Sequence, residues 1–385
     1  MTFEKLIMEE ALDAIIDYRG KTPQKSPIGI PTLSAKSVKN GQIDYSECYY
    51  ISPEEYKKFM TRGFPQKGDI LLTTEAPLGM VAKLDRADVA VAQRLLTLRG
   101  KKGVLDNDFL MYYLQSSEGQ GLLKAKETGT TVTGIKQAEF RKIVIKVPDF
   151  QTQKKIAAIL SALDEKIAIN RAINDNLQQQ AAALFSSLYD RSSTEVRFTD
   201  LIQILGGGTP KTGENTYWNG NIAFFTPKDV GIPYTLITEK TISKEGLSHC
   251  NSRLYPVNTV FVTARGTVGK VGMSGVPMAM NQSCYALVGK ETHQLLVYFY
   301  TLKAVDRLKH KASGAVFDAI TTRDFESEQI MKLSDDDAKA FLRVAAPMFQ
   351  EVLNNNIENL RLSTLRDSLL PKLMSGEIDV SAVQL

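Results

Sequence analysis

The sequence predicts a mixed α/β (α+β) fold in which two pseudo-repeated lobes are joined by two long helices that form an antiparallel coiled coil. Three observations lead there. Over residues 151–190, apolar side chains recur in alternating steps of four and three. The same pattern returns 185 residues later. Between the two stretches and before the first, short segments match each other in order.

The helices come first because they frame everything else. No Gly or Pro interrupts the chain between Pro148 and Gly206. Within that run the stripe is Ile156, Leu160, Leu163, Ile167, Asn170, Asn174, Leu177, Ala181, Leu184 and Leu188. Such spacing keeps one face of a helix turned toward a partner helix. Adding 185 to each number gives Phe341, Ala345, Met348, Val352, Asn355, Asn359, Leu362, Arg366, Leu369 and Leu373. Two Asn recur at the same two places, and Arg366 opposite Ala181 is the departure. Polar seam residues cost stability but specify register and partner. The Asn pair lies at the middle of the stripe, so it would meet its copy in either direction. The antiparallel expectation comes from the duplication, because a twofold axis across a helix pair reverses one helix. The lobes are then expected at opposite ends.

The lobes follow in chain order. Gly20-Lys21-Thr22-Pro23 matches Gly207-Gly208-Thr209-Pro210, a turn leading to a short strand near Ile30 or Ile222. Leu33-Ser34-Ala35-Lys36-Ser37-Val38 matches Phe225-Thr226-Pro227-Lys228-Asp229-Val230. Ile70-Leu71-Leu72-Thr73-Thr74 matches Val260-Phe261-Val262-Thr263-Ala264, giving strands over 69–74 and 259–263. Each leads to a glycine, Gly79 or Gly269, and then to a second strand. Val91-Ala92-Gln93 matches Met280-Asn281-Gln282, with both Gln placed inside strand-like runs. A helix follows, carrying Leu110, Tyr113 and Leu114 in one half and Leu295, Leu296, Phe299 and Tyr300 in the other. Thr133-Gly134-Ile135 aligns with Asp318-Ala319-Ile320, each followed by a Phe, at 140 or 325. Short strands over 142–147 and 328–333 close the lobes. The domains are therefore 1–150 and 191–334, with helices over 151–190 and 335–385, the last including a tail.

Composition narrows the class. Apolar content of 43% is ordinary for a globular chain. There is no run of 18 apolar residues, so no membrane span is expected. Glu4, Glu9, Glu10 and Asp13 do not suit a secretory signal. Three scattered Cys form neither a disulfide framework nor a zinc spacing. A cytoplasmic protein fits these features. The net charge of +4 is uneven. Lys and Arg exceed Asp and Glu by 22 to 19 over 1–150 and by 16 to 12 over 191–334, but trail by 5 to 8 over 335–385. The excess is mild, and solvated lobes of many kinds share it.

The motifs exclude most chemistry. Gly206-Gly207-Gly208-Thr209-Pro210-Lys211 lacks the Gly-Lys-Ser/Thr end of a phosphate loop, and Gly20-Lys21-Thr22 lacks the leading Gly. His249, His293 and His310 have no partners at metal spacing; His249-Cys250 reads as a surface pair. Tyr217 and Trp218 could form an exposed aromatic cluster, but packing on the core is the expected reading. Arg265-Gly266-Thr267-Val268-Gly269-Lys270, between two strands, reads equally as a basic loop for phosphate or base edges and as a Gly-rich hairpin with solvated charges. Glu75 stands opposite Arg265 in the other half. Gln93 and Gln282 could read adenine in a major groove or bond a turn backbone.

The pattern resembles the specificity subunits of type I restriction–modification systems over nearly the whole chain. Gly207-Gly208-Thr209-Pro210, Phe225 to Val230 and Thr263-Ala264-Arg265-Gly266-Thr267-Val268-Gly269 carry the resemblance. So do Gln151 to Leu160 and Leu369-Leu370-Pro371-Lys372-Leu373-Met374-Ser375-Gly376-Glu377-Ile378. The first lobe departs from it: Tyr18-Arg19-Gly20-Lys21-Thr22-Pro23 replaces the Gly run, and Thr74-Glu75-Ala76-Pro77 replaces the Arg-Gly step. The resemblance implies two target recognition domains, each reading half of a split site in double-stranded DNA. It also implies docking of two methyltransferase subunits and of restriction/motor subunits. The chain itself would have no catalysis and hold no cofactor or metal. S-adenosylmethionine, ATP and Mg would belong to the partners, whose complex methylates adenine N6 and cleaves DNA.

Under this reading the candidates for DNA contact are Arg19, Lys21, Lys36, Lys39 and Gln93 in the first lobe. In the second they are Lys211, Lys228, Arg265, Lys270 and Gln282. Two similar but unequal lobes suit a split, non-palindromic site. The helices are expected to set its gap: from Ile156 to Leu188 they make a rod of roughly 50 Å, at most about 15 base pairs. Two rival classes predict differently. A bivalent protein-binding scaffold would show no salt-dependent DNA affinity, and an enzyme would need acid/base residues converging between the lobes.

Overall fold

The computed structural model describes residues 2–129, 133–231, 233–311 and 318–383. The chain divides into two compact units, 1–166 with 362–385, and 167–361. Each unit is a lobe together with a segment of each long helix, so the division falls inside both helices. The physical reason is that each helix segment buries its side chains in the core of its own lobe.

In the first unit, Leu12–Asp17, Leu95–Gly100, Ile70–Thr73 and Val81–Lys83 form a four-stranded antiparallel sheet in that order. A smaller sheet has Ile30–Leu33 at its centre, antiparallel to Tyr49–Ile51 and parallel to Ala90–Val91. Side chains alternate across a strand, and the run Ile70-Leu71-Leu72 uses both faces. Ile70 and Leu72 join a core with Phe109, Leu110 and Phe140, while Leu71 joins Leu33, Val89 and Val91. A strand buried on both faces reads as continuous apolar sequence, which is why this segment was plain in the sequence.

The second unit repeats the plan. Ile202–Gly206, Cys284–Gly289, Val260–Thr263 and Val271–Ser274 take the same order, and Tyr234–Thr235 adds a parallel edge. Trp218–Phe225 lies between antiparallel Lys240–Ile242 and parallel Met278–Met280. Val260 and Val262 face one core and Phe261 the other. The lobes differ in their first large helix. Gln294–Lys311 is continuous, whereas its counterpart breaks at Ser116 into Asn107–Gln115 and Ser117–Ala125. The Ser116 hydroxyl accepts from the Gly119 N–H at 3.1 Å and so caps the second piece.

A two-stranded antiparallel ribbon leads into each long helix: Phe3–Ile7 with Val144–Pro148, and Thr194–Arg197 with Gln329–Lys332. The helices are Phe150–Asp190 and Asp335–Ser375, each of 41 residues and 185 apart at both ends. Their caps keep that offset. The Asp149 carboxylate accepts from the N–H of Gln151 and Thr152, and Ser334 Oγ accepts from the N–H of Asp337 at 3.1 Å. Asp335–Ser375 runs through Pro347 and Pro371, both exposed. Proline deprives Arg343 and Asp367 of a helical donor, but both those residues are also exposed, so water can satisfy the free carbonyls.

The helices pair antiparallel in each unit. In the second, Asn170 Nδ2 donates to Asn359 Oδ1 and to Glu358 Oε2, and Asn174 exchanges hydrogen bonds with Asn355 and Asn356. Phe185 meets Phe341 edge-on. In the first, Arg366 Nη1 donates to Asp164 at 2.6 Å. That ion pair explains the departure at Arg366: antiparallel pairing sets it beside Asp164, not Ala181. Every position of the two apolar stripes is buried or half-buried.

Candidate nucleic-acid interface

In the second lobe the chain leaves Val260–Thr263 at Ala264 and returns at Val271. The hairpin between them is held from within. Gly269 N–H donates to the Thr263 carbonyl at 2.9 Å, Lys270 N–H donates to Thr263 Oγ1 at 2.9 Å, and Thr263 Oγ1 donates to the carbonyl of Thr267. Gly266 and Gly269 have φ of 81° and 73°, a region that glycine enters freely. Arg265 and Lys270 are exposed on this frame.

Three further segments meet the hairpin. Ala264 N–H donates to the Ser283 carbonyl, and Asn281 N–H donates to the Phe225 carbonyl. The Thr267 hydroxyl donates to the Pro227 carbonyl at 3.2 Å. The Gly206–Lys211 turn lies so close to this edge that a Cβ on Gly207 would sit 2.2 Å from the Asn281 carbonyl oxygen. Thr209 also donates to Gln282. The candidates Lys211, Lys228, Arg265, Lys270 and Gln282 therefore stand on four segments that converge at one edge of the lobe. A cleft of about 430 Å³ opens between Thr226-Pro227-Lys228 and Gly266-Thr267, with Lys240 and Asn281 on its walls. Glu239 lies 3.7 Å from Lys228, and Asp229 spends its carboxylate on the N–H groups of Thr226 and Glu239.

The first lobe builds the same frame from different residues. Gly79 N–H donates to Thr73, Met80 N–H donates to Thr73 Oγ1, and Thr73 Oγ1 donates to the Pro77 carbonyl at 2.6 Å. Thr74 N–H donates to the Arg94 carbonyl as Ala264 does to Ser283, and Ile135 bonds Thr74 as Ile320 bonds Ala264. Here Ala76, with φ 53°, stands in the place of Gly266. Arg19 reaches the same region, its Nη2 donating to the Ile135 carbonyl at 2.8 Å. Lys21 donates to Thr61 at 3.1 Å. Lys36 is exposed on the Ala35–Ser37 turn next to Leu33, whose carbonyl accepts from Ala92 beside Gln93. Lys39 sits on a small hairpin of its own, Val38–Lys39 with Gln42–Ile43, tied to the Lys36 turn by the Asp44 N–H donating to the Ser37 carbonyl at 2.8 Å.

One expectation changes, the strand placement of the two Gln. Gln93 and Gln282 lie in turns and not within strands: there the chain leaves the small sheet at Val91 or Met280 and enters the large one at Leu95 or Cys284. That change of sheet breaks a run that looks continuous in sequence. Trp218 is half-buried, edge-on to Phe224, with Lys240 over its ring and its Nε1 donating to the Lys211 carbonyl. Tyr217 stacks on His249 at 4.9 Å. Sequence reasoning passed over Arg62, whose Nη1 donates to the carbonyls of Asp17 and Arg19, and Arg94, which directly follows the matched Gln93. Lys240 had no signal, since its strand is short and its cleft depends on the fold. Burial pushes the Cys284 thiol up to about 12, so it is protonated at neutral pH. No helix among the described residues is long and apolar enough to cross a membrane.

Comparison with known proteins adds to this geometry. A family described as the type I restriction modification DNA specificity domain matches twice, over residues 15–179 and 191–332. The chain is 24% identical to the type I restriction enzyme HindI specificity subunit of Haemophilus influenzae, covering 81% of this chain and 87% of that protein. It is 23% identical to the MjaIX specificity subunit of Methanocaldococcus jannaschii, covering 91% and 87%. Its fold is similar to the crystal structure of a type I restriction–modification S subunit from M. genitalium. That match has a TM-score of 0.65 at 17% identity, over 97% of this chain and 96% of that one.

Proposed function

Because the chain belongs to the type I restriction modification DNA specificity family, we propose that its two converging loop clusters are the surfaces that read DNA. The chain is a specificity subunit without catalysis of its own, and the complex's methylation and restriction reside in other subunits. The observation that carries the reading is a coincidence of two repeats. The family match occurs twice, and each copy holds one hairpin frame whose exposed turns gather polar and basic side chains.

Each lobe takes one half of a bipartite duplex site. The frames are alike and the side chains on them are not: Glu75-Ala76-Pro77 stands where Arg265-Gly266-Thr267 stands in the other lobe. The half-sites therefore differ, and the whole site is asymmetric. Arg265, Lys270, Lys228, Lys211 and Gln282 contact DNA through the second lobe, and Arg19, Lys21, Lys36, Lys39 and Gln93 through the first. Two methyltransferase subunits dock on the repeated helices and lobes, one for each copy, and restriction/motor subunits join them. S-adenosylmethionine, ATP and Mg are held by those partners and not by this chain. The assembly works in the cytoplasm. The test is methylation-sensitive sequencing of cells expressing this chain with its methyltransferase partners. A new methylated motif of two unlike halves is expected, and the absence of any new motif overturns the reading.

A further inference from the structure

We infer that Arg94 is the base-reading cation of the first lobe, held in place by Glu75, and that together they replace Arg265 of the second lobe. The inference rests on the DNA-reading role proposed above. In sequence the two lobes look opposite at this point, with a carboxylate where the other has a guanidinium. In space they do not. The hydrogen bond from Thr74 N–H to the Arg94 carbonyl matches that from Ala264 to Ser283. Glu75 therefore occupies the Arg265 position, and Arg94 occupies that of Ser283, directly across a hydrogen-bonded pair. Arg94 Nε lies 2.6 Å from Glu75 Oε1, so the cation is delivered to the same edge from the neighbouring segment.

Three features favour a reading role over an ordinary surface pair. The Arg94 side chain is 53% exposed, so it is presented outward. The close approach is through Nε, and among the described residues Nη1 and Nη2 have no acceptor; those two groups form the fork that pairs with guanine O6 and N7. Arg94 also has φ 73°, a left-handed backbone that a residue with a Cβ rarely takes. A plain solvated arginine would not need that conformation, and strain of this kind gathers where a side chain must be aimed. Glu75 is a positioning residue: its charge draws the guanidinium to this edge and, being anionic, repels phosphate from the loop.

The experiment uses the chain in complex with its methyltransferase partners. Competition binding is measured on duplexes carrying the recovered motif and its single base-pair variants, over a salt series. Arg94→Asn tolerates the left-handed backbone, so loss of folding does not enter. It is expected to lose roughly ten- to a hundredfold discrimination at one base pair of one half-site. The half-site altered by Arg265→Asn should stay unchanged. Glu75→Gln should raise affinity for unrelated DNA while lowering discrimination at that same base pair, a pair of opposite changes that a merely structural role would not produce. If Arg94→Asn weakens all duplexes alike and lowers the salt slope by about one, Arg94 is a phosphate anchor and the inference falls. Unaltered discrimination also overturns it, with the specificity proposal left standing. A wild-type complex with no sequence preference overturns both.

Discussion

Arg265 has no side-chain partner among the described residues, and its hairpin is held by Thr263 and two glycines instead. The side chain can therefore be removed without disturbing the frame. Arg265→Ala should weaken binding through the second lobe by about 1–3 kcal/mol if it meets a base edge, with no change in melting temperature; unchanged affinity and motif would return it to a solvated surface. Asp149 makes the opposite case, a side chain whose work is structural. Hydrogen bonds from Thr152 hold its carboxyl below the usual carboxylate value. A depressed folded value means that its contribution is complete above the unfolded pKa near 4, and is lost as pH falls through the folded value. Asp149→Ala should cost about 1 kcal/mol at neutral pH. Asp149→Asn should keep most of the cap but remove its acid dependence, and thermal melts at neutral and acid pH on both variants compare the two directly.

At the scale of elements, the helix pair carries a polar layer inside an apolar seam. Asn174 and Asn355 are buried and bonded to each other at 2.9 Å. Removing one partner leaves a buried amide unsatisfied, so Asn174→Ala should destabilise by about 1–3 kcal/mol. Replacing both Asn174 and Asn355 by Leu should cost less than Asn174→Ala, because the bonded pair leaves together and half-buried Asn356, which also loses Asn174, can turn to water. It should also loosen register, which disulfide trapping across the pair can read. Pro347 lies in the same helix on its exposed side. Pro347→Ala restores a helical N–H and should raise the melting temperature; a fall would show that the proline's restriction of the unfolded chain outweighs the regained hydrogen bond.

At the scale of the molecule, the charge excess belongs to the lobes and not to the helices. DNA affinity of the complex should therefore fall steeply with salt, through release of counterions from the phosphates the lobes neutralise. Exchanging residues 1–150 for a related lobe should change one half of the methylated motif and keep the other. A swap that alters both halves would show that the lobes do not read independently. Within each unit the sheets, their helices and the helix-pair segments bury one another, so the incoming lobe must also pack on Ile156, Leu160 and Leu373 of the retained helices.

The sequence by itself determined the duplication, the two helices, their polar seam positions and the buried strands. These are periodic or repeated features, and periodicity survives in one dimension because burial repeats every two or 3.6 residues. The ten candidate contacts were legible only as polar residues in matched turns, since turn chemistry is local. Tertiary structure alone decided which of them share an edge. It brought the Thr209–Lys211 turn to Gln282 and the Lys228 turn to the Arg265 hairpin, set Lys39 on a hairpin of its own, and paired Arg366 with Asp164. It also placed Arg94 across from Glu75. Those relations depend on hydrogen bonds between segments far apart in the chain, and no local pattern records which segments a sheet will bring together.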